Sequence, residues 1–400
     1  MTLSTKNFAQ IKTAENIEIK DLNIFIGKNG SGKTYFAKLI YFLNSIQYKA
    51  HIFKKSFSKK IKNSFDNKID ILFTTKEQDN FKKLFITLIQ NEYHNLIDSD
   101  KEFFKDFKFD FEIQFKDFQL PFQEDIGNYK DYELYVMESY IDKSFNLTIS
   151  HYLPAARANY MVTYKYLFLI QYDILRNQKN ISLLPEIENN FLEDIYKVNT
   201  KYHGYLYSLG SKIEKNIFKT GKISIRNPKH QDLPTYKYRL KGFTQTLDLT
   251  TTSSAITELS PLIMYFRHKI ANPNKELLII DEPELSLHPE AQAKLVEIIV
   301  EAVNKGLKII LVTHSPYILE ALNNHLQRYK IRDCELSKDI KEFEEINPNQ
   351  VSAYLFEDEN IKNILDDEVK LIDDKLLHSF NNLNNIYDKM RDVEWDNLDG

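Results

Sequence analysis

Three apolar runs in the chain lack the polar alternation of a half-buried strand. The first begins with alternating positions near Ile17 and becomes continuous before Gly27, and the others occupy residues 276–281 and 308–313. Strands that are apolar on both faces are typical of a parallel sheet covered by helices. We therefore predict three buried strands of an α/β fold.

Apolar residues at helical spacing follow two of these strands. They predict helices over 34–46 and 289–303, the second with a proline in its first turn, where proline is well tolerated. A further helix is predicted over 254–271. Residues 158–218 also indicate helices, without a long heptad array, and 222–249 indicate short antiparallel strands.

Alternating patterns predict additional strands elsewhere in the chain. Phenylalanine alternates with charged residues in 103–118, and two shorter strand-like runs occupy 132–136 and 145–149. Near the end, residues 351–356 predict a strand and 370–390 predict a helix. The predicted sheet is therefore larger than its three apolar strands.

Composition limits the class of protein. The 400-residue chain has a formal net charge of -4 and a pI near 6.2, which does not indicate that the whole protein binds nucleic acid but is compatible with a local basic face. A single cysteine, Cys334, excludes a disulfide within this chain and favours a reducing compartment. We find neither a signal peptide nor an apolar stretch of transmembrane length, and so expect a cytoplasmic protein without a membrane partner.

The turn after the first strand has the sequence GKNGSGKT at residues 27–34, which matches the phosphate-binding pattern GxxxxGK[ST]. Backbone N–H groups and the helix N-terminus would contact the phosphates there. We predict that Lys33 reaches the β- and γ-phosphates and that Thr34 ligates Mg²⁺. The alternative is a glycine-rich turn without a ligand. The other predicted nucleotide contacts are Lys28, Asn29, Gly30, Ser31 and Gly32.

The second apolar strand ends in two acids, Asp281 and Glu282. Ligand sites of parallel sheets lie at such carboxyl ends. We predict that Asp281 holds Mg²⁺ through water and that Glu282 is the general base for an attacking water. A solvated acidic turn is the alternative interpretation.

The third apolar strand ends in the sequence THSP at residues 313–316. One strand–helix–strand step separates it from Glu282, so we expect His314 beside the same site. The imidazole would then hydrogen-bond the γ-phosphate and respond to its presence. The alternative is a structural histidine.

Together these motifs resemble those of the ABC-class ATPases of the SMC, RecF and OLD group. The segment ELLIIDEPELSLHPEAQ resembles the family's extended Walker B motif and D-loop, and THSP resembles its H-loop. The resemblance covers roughly residues 7–45 and 245–325. It implies an ABC-type P-loop ATPase head with a mixed β-sheet core, an antiparallel β subdomain and an inserted helical lid. It also implies ATP and Mg²⁺ as cofactors.

The family completes each nucleotide site with a signature motif from a second subunit. Residues 252–259, TSSAITEL, resemble its SSGxxEL form, which implies that Ser253 and Ser254 contact phosphate across the interface. Ala255 replaces the usual glycine. An ordinary serine helix cap is the alternative.

The segment LPAAR at residues 153–157 resembles the PAxR element that the family carries near its Q-loop. The resemblance implies that Arg157 contacts phosphate or the facing subunit. A structural salt bridge is the alternative, because arginine serves both purposes.

These motifs divide the chain into four parts. Residues 1–157 form an N-terminal ATPase lobe with the phosphate-binding loop, and residues 158–245 form a helical and β insertion. Residues 246–330 form a C-terminal ATPase lobe, and residues 331–400 form a C-terminal tail for partner docking. The tail lacks the Cys/His pattern of a metal site and the acidic strand ends of a Toprim nuclease.

Residues 211–241 carry seven lysines and two arginines against Glu214 and Asp232. Tyrosines 236 and 238 are interleaved with them. A nucleic-acid face and a solvated sheet face both fit this composition, and we favour the solvated face.

The resemblance implies a switch ATPase that forms an ATP-sandwich dimer or higher oligomer. It implies control of a separately encoded effector protein in anti-phage defence or a toxin–antitoxin system, by analogy of fold and module content. The alternatives are a RecF-like repair ATPase that clamps DNA and a slow-turnover, nucleotide-gated scaffold.

Overall fold

The fold is built on one large mixed sheet. The computed structural model describes residues 2–45, 108–111, 149–176, 184–226, 233–333, 344–366, 368 and 371–372. Within these ranges the large sheet has nine strands: β1 (Thr2–Phe8), β2 (Ile11–Glu18), β3 (Leu22–Gly27), β4 (Lys108–Phe111), β5 (Ile149–Leu153), β9 (Glu276–Asp281), β10 (Lys308–Thr313), β11 (Val351–Glu357) and β12 (Asn360–Asn363). Their order is β4-β1-β2-β12-β11-β3-β10-β9-β5.

A smaller antiparallel sheet contains β6 (Gly221–Arg226), β7 (Thr235–Leu240) and β8 (Thr246–Asp248). Seven α-helices are described: α1 (Lys33–Ser45), α2 (Arg157–Arg176), α3 (Glu186–Tyr196), α4 (Tyr207–Ile213), α5 (Ser254–Met264), α6 (Pro289–Asn304) and α7 (Pro316–Ile331). In the part of the chain described, no helix combines the length and apolarity that a membrane span needs.

One side of the large sheet, from β11 to the edge strand β5, is parallel. β11, β3, β10, β9 and β5 form four successive parallel pairs. Every residue of β3 and β9 is buried, and α1 packs against β3, β5, β9 and β10. Strands covered on both faces require apolar side chains at consecutive positions, which explains why the three apolar runs form these strands.

The other side of the large sheet is mostly antiparallel. β1 pairs with β2 and with β4, and β11 pairs with β12, all antiparallel, whereas a parallel bridge between Asn360 of β12 and Thr13 of β2 joins the two groups. The turn between β1 and β2 contains Gln10, which lies against the phosphate-binding loop. This hairpin therefore forms one wall of the nucleotide site.

The small sheet packs on the inserted helices through its tyrosines. Tyr236 and Tyr238 are buried, and the Tyr236 hydroxyl donates to the carbonyl oxygen of Ile195 in α3 at 2.8 Å. The Tyr236 ring also makes an edge contact with Tyr164 of α2, at 5.7 Å between centroids. The predicted antiparallel strands of 222–249 are confirmed.

The C-terminal part of the chain is not a tail throughout. β11 lies between β3 and β12, and its first six residues are buried. Phe356 packs against Phe25 of β3 and Phe36 of α1, with ring centroids 5.3 and 5.7 Å apart. The prediction of a tail over 331–400 is therefore wrong for residues 351–363, because this strand pairs with the open edge of β3.

Three predicted boundaries also differ. The apolar positions before Gly27 belong to two strands, β2 and β3, separated at residues 19–21. The helix predicted over 254–271 changes from α to π geometry over Tyr265–Lys269 and ends there, because the backbone is extended at Ile270. Ile372 forms an antiparallel bridge with Leu365, so the helix predicted over 370–390 does not include residue 372.

Several predicted elements lie partly or wholly outside the described residues. These are the strand over 132–136 and most of the elements predicted over 103–118, 145–149 and 370–390. Of the element predicted over 103–118 the structure describes β4, and of the element predicted over 145–149 it describes Ile149, which begins β5.

Candidate nucleotide site

The phosphate-binding loop joins β3 to α1 and lines a cavity of about 250 Å³. Gly30 and Gly32 have φ angles of 74° and 93°, which residues with a Cβ rarely adopt. A Cβ on Gly32 would also lie 3.1 Å from the Ile11 side chain. Glu282 and His314 complete the cavity wall opposite the loop. The structure thus brings the three sequence motifs to one cavity.

The predicted loop contacts are placed unequally. Residues 29–34 line the cavity, whereas the side chain of Lys28 is exposed outside it. The backbone bond from the Phe36 N–H to the Gly32 carbonyl, at 2.9 Å, starts α1 immediately after the loop. The N–H groups of this first helical turn therefore point toward the position where an anion gains most from the helix dipole.

Lys33 points back across the loop. Its Nζ donates to the carbonyls of Gly27 and Lys28 at 2.9 and 2.7 Å and lies 3.4 Å from Nδ1 of His314. The residue is 4% exposed. Burial lowers the pKa of the Lys33 ammonium to about 8, although nearby carboxylates, of which Asp281 acts most strongly, favour its charged form.

Asp281 and Thr34 form the metal side of the cavity. The Thr34 hydroxyl donates to Asp281 Oδ2 at 3.1 Å, and the Tyr152 hydroxyl donates to the same oxygen at 2.9 Å. Asp281 is 4% exposed, and burial raises the pKa of its carboxyl despite these two hydrogen bonds. A bound cation would offset the cost of this buried charge.

The donor set fits Mg²⁺, which binds one or two protein oxygens and takes its other ligands from water and substrate phosphates. Thr34 and Asp281 supply such a hydroxyl and carboxylate on neighbouring elements. Across the described ranges, no three His, Cys, Asp or Glu side chains are grouped as a metal site.

Glu282 and His314 lie opposite each other at the cavity mouth. His314 Nε2 is 3.5 Å from Glu282 Oε1, and their side chains are 29% and 32% exposed. Glu282 has a φ of 49°, and its N–H donates to the Val312 carbonyl at 2.8 Å. This bond ties the turn after β9 to β10. The imidazole of His314 lies between the carboxylate of Glu282, which is near its Nε2, and the ammonium of Lys33, which is near its Nδ1.

Arg157 does not face the cavity. It is 1% exposed, and its guanidinium donates to the carbonyls of Asp281 at 2.5 Å and Glu282 at 3.2 Å. Its Nε donates to the Glu258 carbonyl at 3.2 Å and lies 3.5 Å from the Glu258 carboxylate. The structure therefore contradicts direct phosphate contact and supports the structural alternative, because the donors already bind protein oxygens. Burial also lowers the Arg157 pKa.

Ser253 and Ser254 lie at the start of α5 with exposed side chains. Ser253 occupies the N-cap position but its side chain makes no capping hydrogen bond, so the ordinary cap interpretation is not supported. The same helix carries Glu258, which Arg157 links to the backbone of Asp281 and Glu282. The contact of either serine with phosphate stays a prediction.

Sequence reasoning missed two residues that hold the site. Tyr152 binds the Asp281 carboxylate, and Glu284 accepts hydrogen bonds from the Thr313 hydroxyl and the His314 N–H. Tyr152 directly precedes the LPAAR segment, and Glu284 is the next acid after Asp281–Glu282, two residues beyond the pair. Those positions were the available signals, but neither indicates a partner that is distant in the chain.

The family model for the AAA ATPase domain matches residues 1–319, which include the phosphate-binding loop, Asp281, Glu282 and residues 313–316. No curated protein matches the chain.

The solved structures that are similar to the chain include two Smc head domains. One is an Smc head bound to the C-winged helix domain of ScpA: 12% identity, TM-score 0.41, covering 91% of this chain and 96% of that chain. The other is an Smc head domain with an extended coiled coil, bound to the C-terminal domain of ScpA derived from Pyrococcus furiosus. It has 11% identity and a TM-score of 0.36, covering 96% of this chain and 98% of that chain.

Proposed function

Because the chain belongs to the AAA ATPase domain family, we propose that it binds ATP with Mg²⁺ and hydrolyses the γ-phosphate. The observation that carries this proposal is the convergence of Lys33, Glu282 and His314 on one cavity beside the Thr34–Asp281 pair. These are the groups that in-line attack of water on a phosphoryl group requires.

Each residue has a definable task. Loop N–H groups and the Lys33 ammonium bind the phosphate oxygens, and Thr34 and Asp281 would hold Mg²⁺, which neutralises phosphate charge when bound. Glu282 is placed to accept a proton from the attacking water. The imidazole of His314, 3.5 Å from that carboxylate, orients Glu282 and can donate to the γ-phosphate.

Two substitutions test this assignment. We expect Lys33→Ala to abolish ATP binding, because it removes the buried cation of the loop, and Glu282→Gln to keep binding while lowering turnover by about 10²-fold or more. Phosphate release and equilibrium binding of labelled ATP measure the two effects. Unchanged turnover in Glu282→Gln would exclude Glu282 as the base.

We further propose that ATP binding joins two copies of the chain and that hydrolysis releases them. The exposed serines at the start of α5 support this, since helix N-termini bind phosphate and these side chains face solvent within one subunit. Such a switch would control a separately encoded effector protein, in anti-phage defence or a toxin–antitoxin system. This assignment of pathway rests on family analogy.

Co-purification tests the effector hypothesis. The Glu282→Gln protein, expressed from its native locus with neighbouring genes present, would be isolated and its bound proteins identified by mass spectrometry. A stoichiometric protein partner, absent with Lys33→Ala, supports effector control. Recovery of nucleic acid without a protein partner contradicts it and favours the second candidate.

The second candidate is a DNA-clamping ATPase, which the outer face of the small sheet favours. Cross-strand pairing sets Lys222 opposite Arg239, and Lys237 and Arg226 lie on the same face, away from the buried tyrosines. Within the described ranges none of these four cations makes an ion pair. Like charges directly opposite each other destabilise a sheet, and phosphates would relieve this repulsion.

Salt-dependent binding distinguishes this candidate. If the face contacts phosphates, Lys222→Gln/Lys237→Gln should reduce the slope of log affinity against log salt by about 2 for duplex DNA. The control, Lys275→Gln/Lys362→Gln, removes the same charge from exposed positions elsewhere. Equal slopes in both double variants would exclude a specific role for this face.

A further inference from the structure

The turn that carries His314 is held by the side chain of Glu284, which is not one of the predicted site residues. Glu284 Oε1 accepts a hydrogen bond from the His314 N–H at 2.7 Å and another from the Thr313 hydroxyl at 2.8 Å. Thr313 is fully buried, and its Oγ1 in turn accepts from the Ser315 N–H at 3.0 Å. One carboxylate oxygen thus fixes three consecutive residues.

The geometry is that of strong hydrogen bonds. A carboxylate acceptor roughly doubles the strength of a hydrogen bond relative to a neutral one. The other oxygen, Oε2, is buried and has no hydrogen-bond partner within the described ranges. Leaving a buried acceptor unpaired costs stability, so the carboxylate is not explained by stability alone.

The fixed turn determines where the imidazole of His314 lies. In that ring, Nδ1 lies 3.4 Å from Lys33 Nζ, and Nε2 lies 3.5 Å from Glu282 Oε1. Neither contact is short enough to hold the ring firmly, and the side chain is 29% exposed. The backbone of His314 must therefore supply the orientation, and Glu284 holds that backbone.

We propose that Glu284 is a positioning residue, which acts through the Thr313–Ser315 turn to direct the His314 imidazole toward the γ-phosphate. This inference rests on the proposed hydrolysis of ATP. Glu284 itself touches neither of the predicted reacting groups, Glu282 and the attacking water. Its contribution is to keep the ring in place before the nucleotide arrives, since a displacement of about 1 Å can cost 10²-fold in rate.

The test compares a variant that removes the hydrogen-bond acceptor of Glu284 with a variant that keeps an acceptor at the same position. Glu284→Ala loses both hydrogen bonds, whereas the amide oxygen of Glu284→Gln can still accept from the N–H and the hydroxyl. We expect kcat to fall by about 10- to 100-fold in Glu284→Ala and to stay within about fivefold of wild type in Glu284→Gln, with KM little changed in either. Glu290→Ala is the control, since this glutamate lies on α6 with its side chain 68% exposed.

Equal losses in Glu284→Ala and Glu284→Gln would overturn the proposal, because charge rather than orientation would then be responsible. Wild-type kcat in Glu284→Ala would also overturn it. The NMR signals of the His314 imidazole give a readout that is independent of turnover. With bound ATP, their chemical shifts should differ from those of the wild-type protein in Glu284→Ala and match them in Glu284→Gln. Absence of turnover in the wild-type protein would refute the proposed hydrolysis, whereas unchanged ring signals in Glu284→Ala would refute the positioning role.

Discussion

Lys33 shows how a single side chain combines conflicting requirements. It must carry a positive charge to bind phosphate, yet it is 4% exposed in a turn whose carbonyls it contacts. Burial disfavours the ammonium and lowers its pKa to about 8, while Asp281 and its neighbours partly restore the charge. The ammonium thus begins to lose its proton just above neutral pH.

We therefore predict that ATP affinity falls as pH rises above about 8. Bound phosphates favour the charged ammonium, so the complex keeps the proton that the free protein loses, and higher pH then favours the free protein. The fall is at most about tenfold per pH unit. Measuring the dissociation constant of ATP between pH 7 and 9.5 checks this.

A second lysine of the same loop provides the control for this pH dependence. Lys28 has an exposed side chain outside the cavity. Lys28→Gln removes a charge from the loop but leaves Lys33 to titrate, so the affinity should fall over the same pH range. A dissociation constant that stays level through pH 9.5 in the unsubstituted protein would contradict the lowered pKa.

At the scale of elements, the site depends on a strand from the far end of the chain. β11 covers the edge of β3, and Phe356 packs against Phe25 and Phe36 beside the phosphate-binding loop. A Cβ on Gly27 would lie 2.3 Å from the Phe356 carbonyl oxygen, so the loop and β11 are in tight contact. The C-terminal strand is therefore part of the nucleotide-binding lobe.

We predict that Phe356→Ala lowers the free energy of unfolding by about 3–5 kcal/mol, because it leaves a cavity beside the rings of Phe25 and Phe36. Phe243→Ala is the matched control: Phe243 is 61% exposed, so its loss should change the free energy by no more than about 0.5 kcal/mol. Urea denaturation measures both. Equal effects for the two variants would show that β11 does not pack as described.

At the scale of the whole molecule, the described chain presents a cavity on one side and exposed serines at the start of α5. Arg157 connects these features, since it donates to the backbone of Asp281 and Glu282 and to Glu258 of α5. A second subunit bound at the serines would therefore act on a helix that is linked directly to the two acids.

We predict that Glu282→Gln forms a dimer with ATP and Mg²⁺, because the nucleotide that joins the subunits is no longer cleaved. Light scattering after size-exclusion chromatography checks the mass. Adding Ser254→Arg should block the dimer, because a long cation would occupy the interface, while ATP binding by the monomer persists. A Glu282→Gln protein that stays monomeric with ATP would contradict the sandwich for the isolated protein.

Much of the site could be predicted because its chemistry lies in contiguous segments. The loop 27–34, the pair Asp281–Glu282 and His314 each follow a buried strand, and parallel strands place their carboxyl ends together. The role of Arg157 could not be predicted in this way. Its partners Glu258, Asp281 and Glu282 are distant in sequence, and whether a guanidinium meets phosphate or carbonyl oxygens depends on which surface it faces.

The sequence by itself determined the nucleotide-binding loop, the acids and the buried parallel strands, because glycine conformation, helix dipoles and apolar runs act locally. Only the tertiary structure decided that residues 351–363 join the central sheet, that Arg157 is buried, and that Glu284 holds the His314 turn. Strand order and long-range hydrogen bonds depend on which distant segments meet. Many pairings satisfy the same local pattern, and the packed core selects one of them.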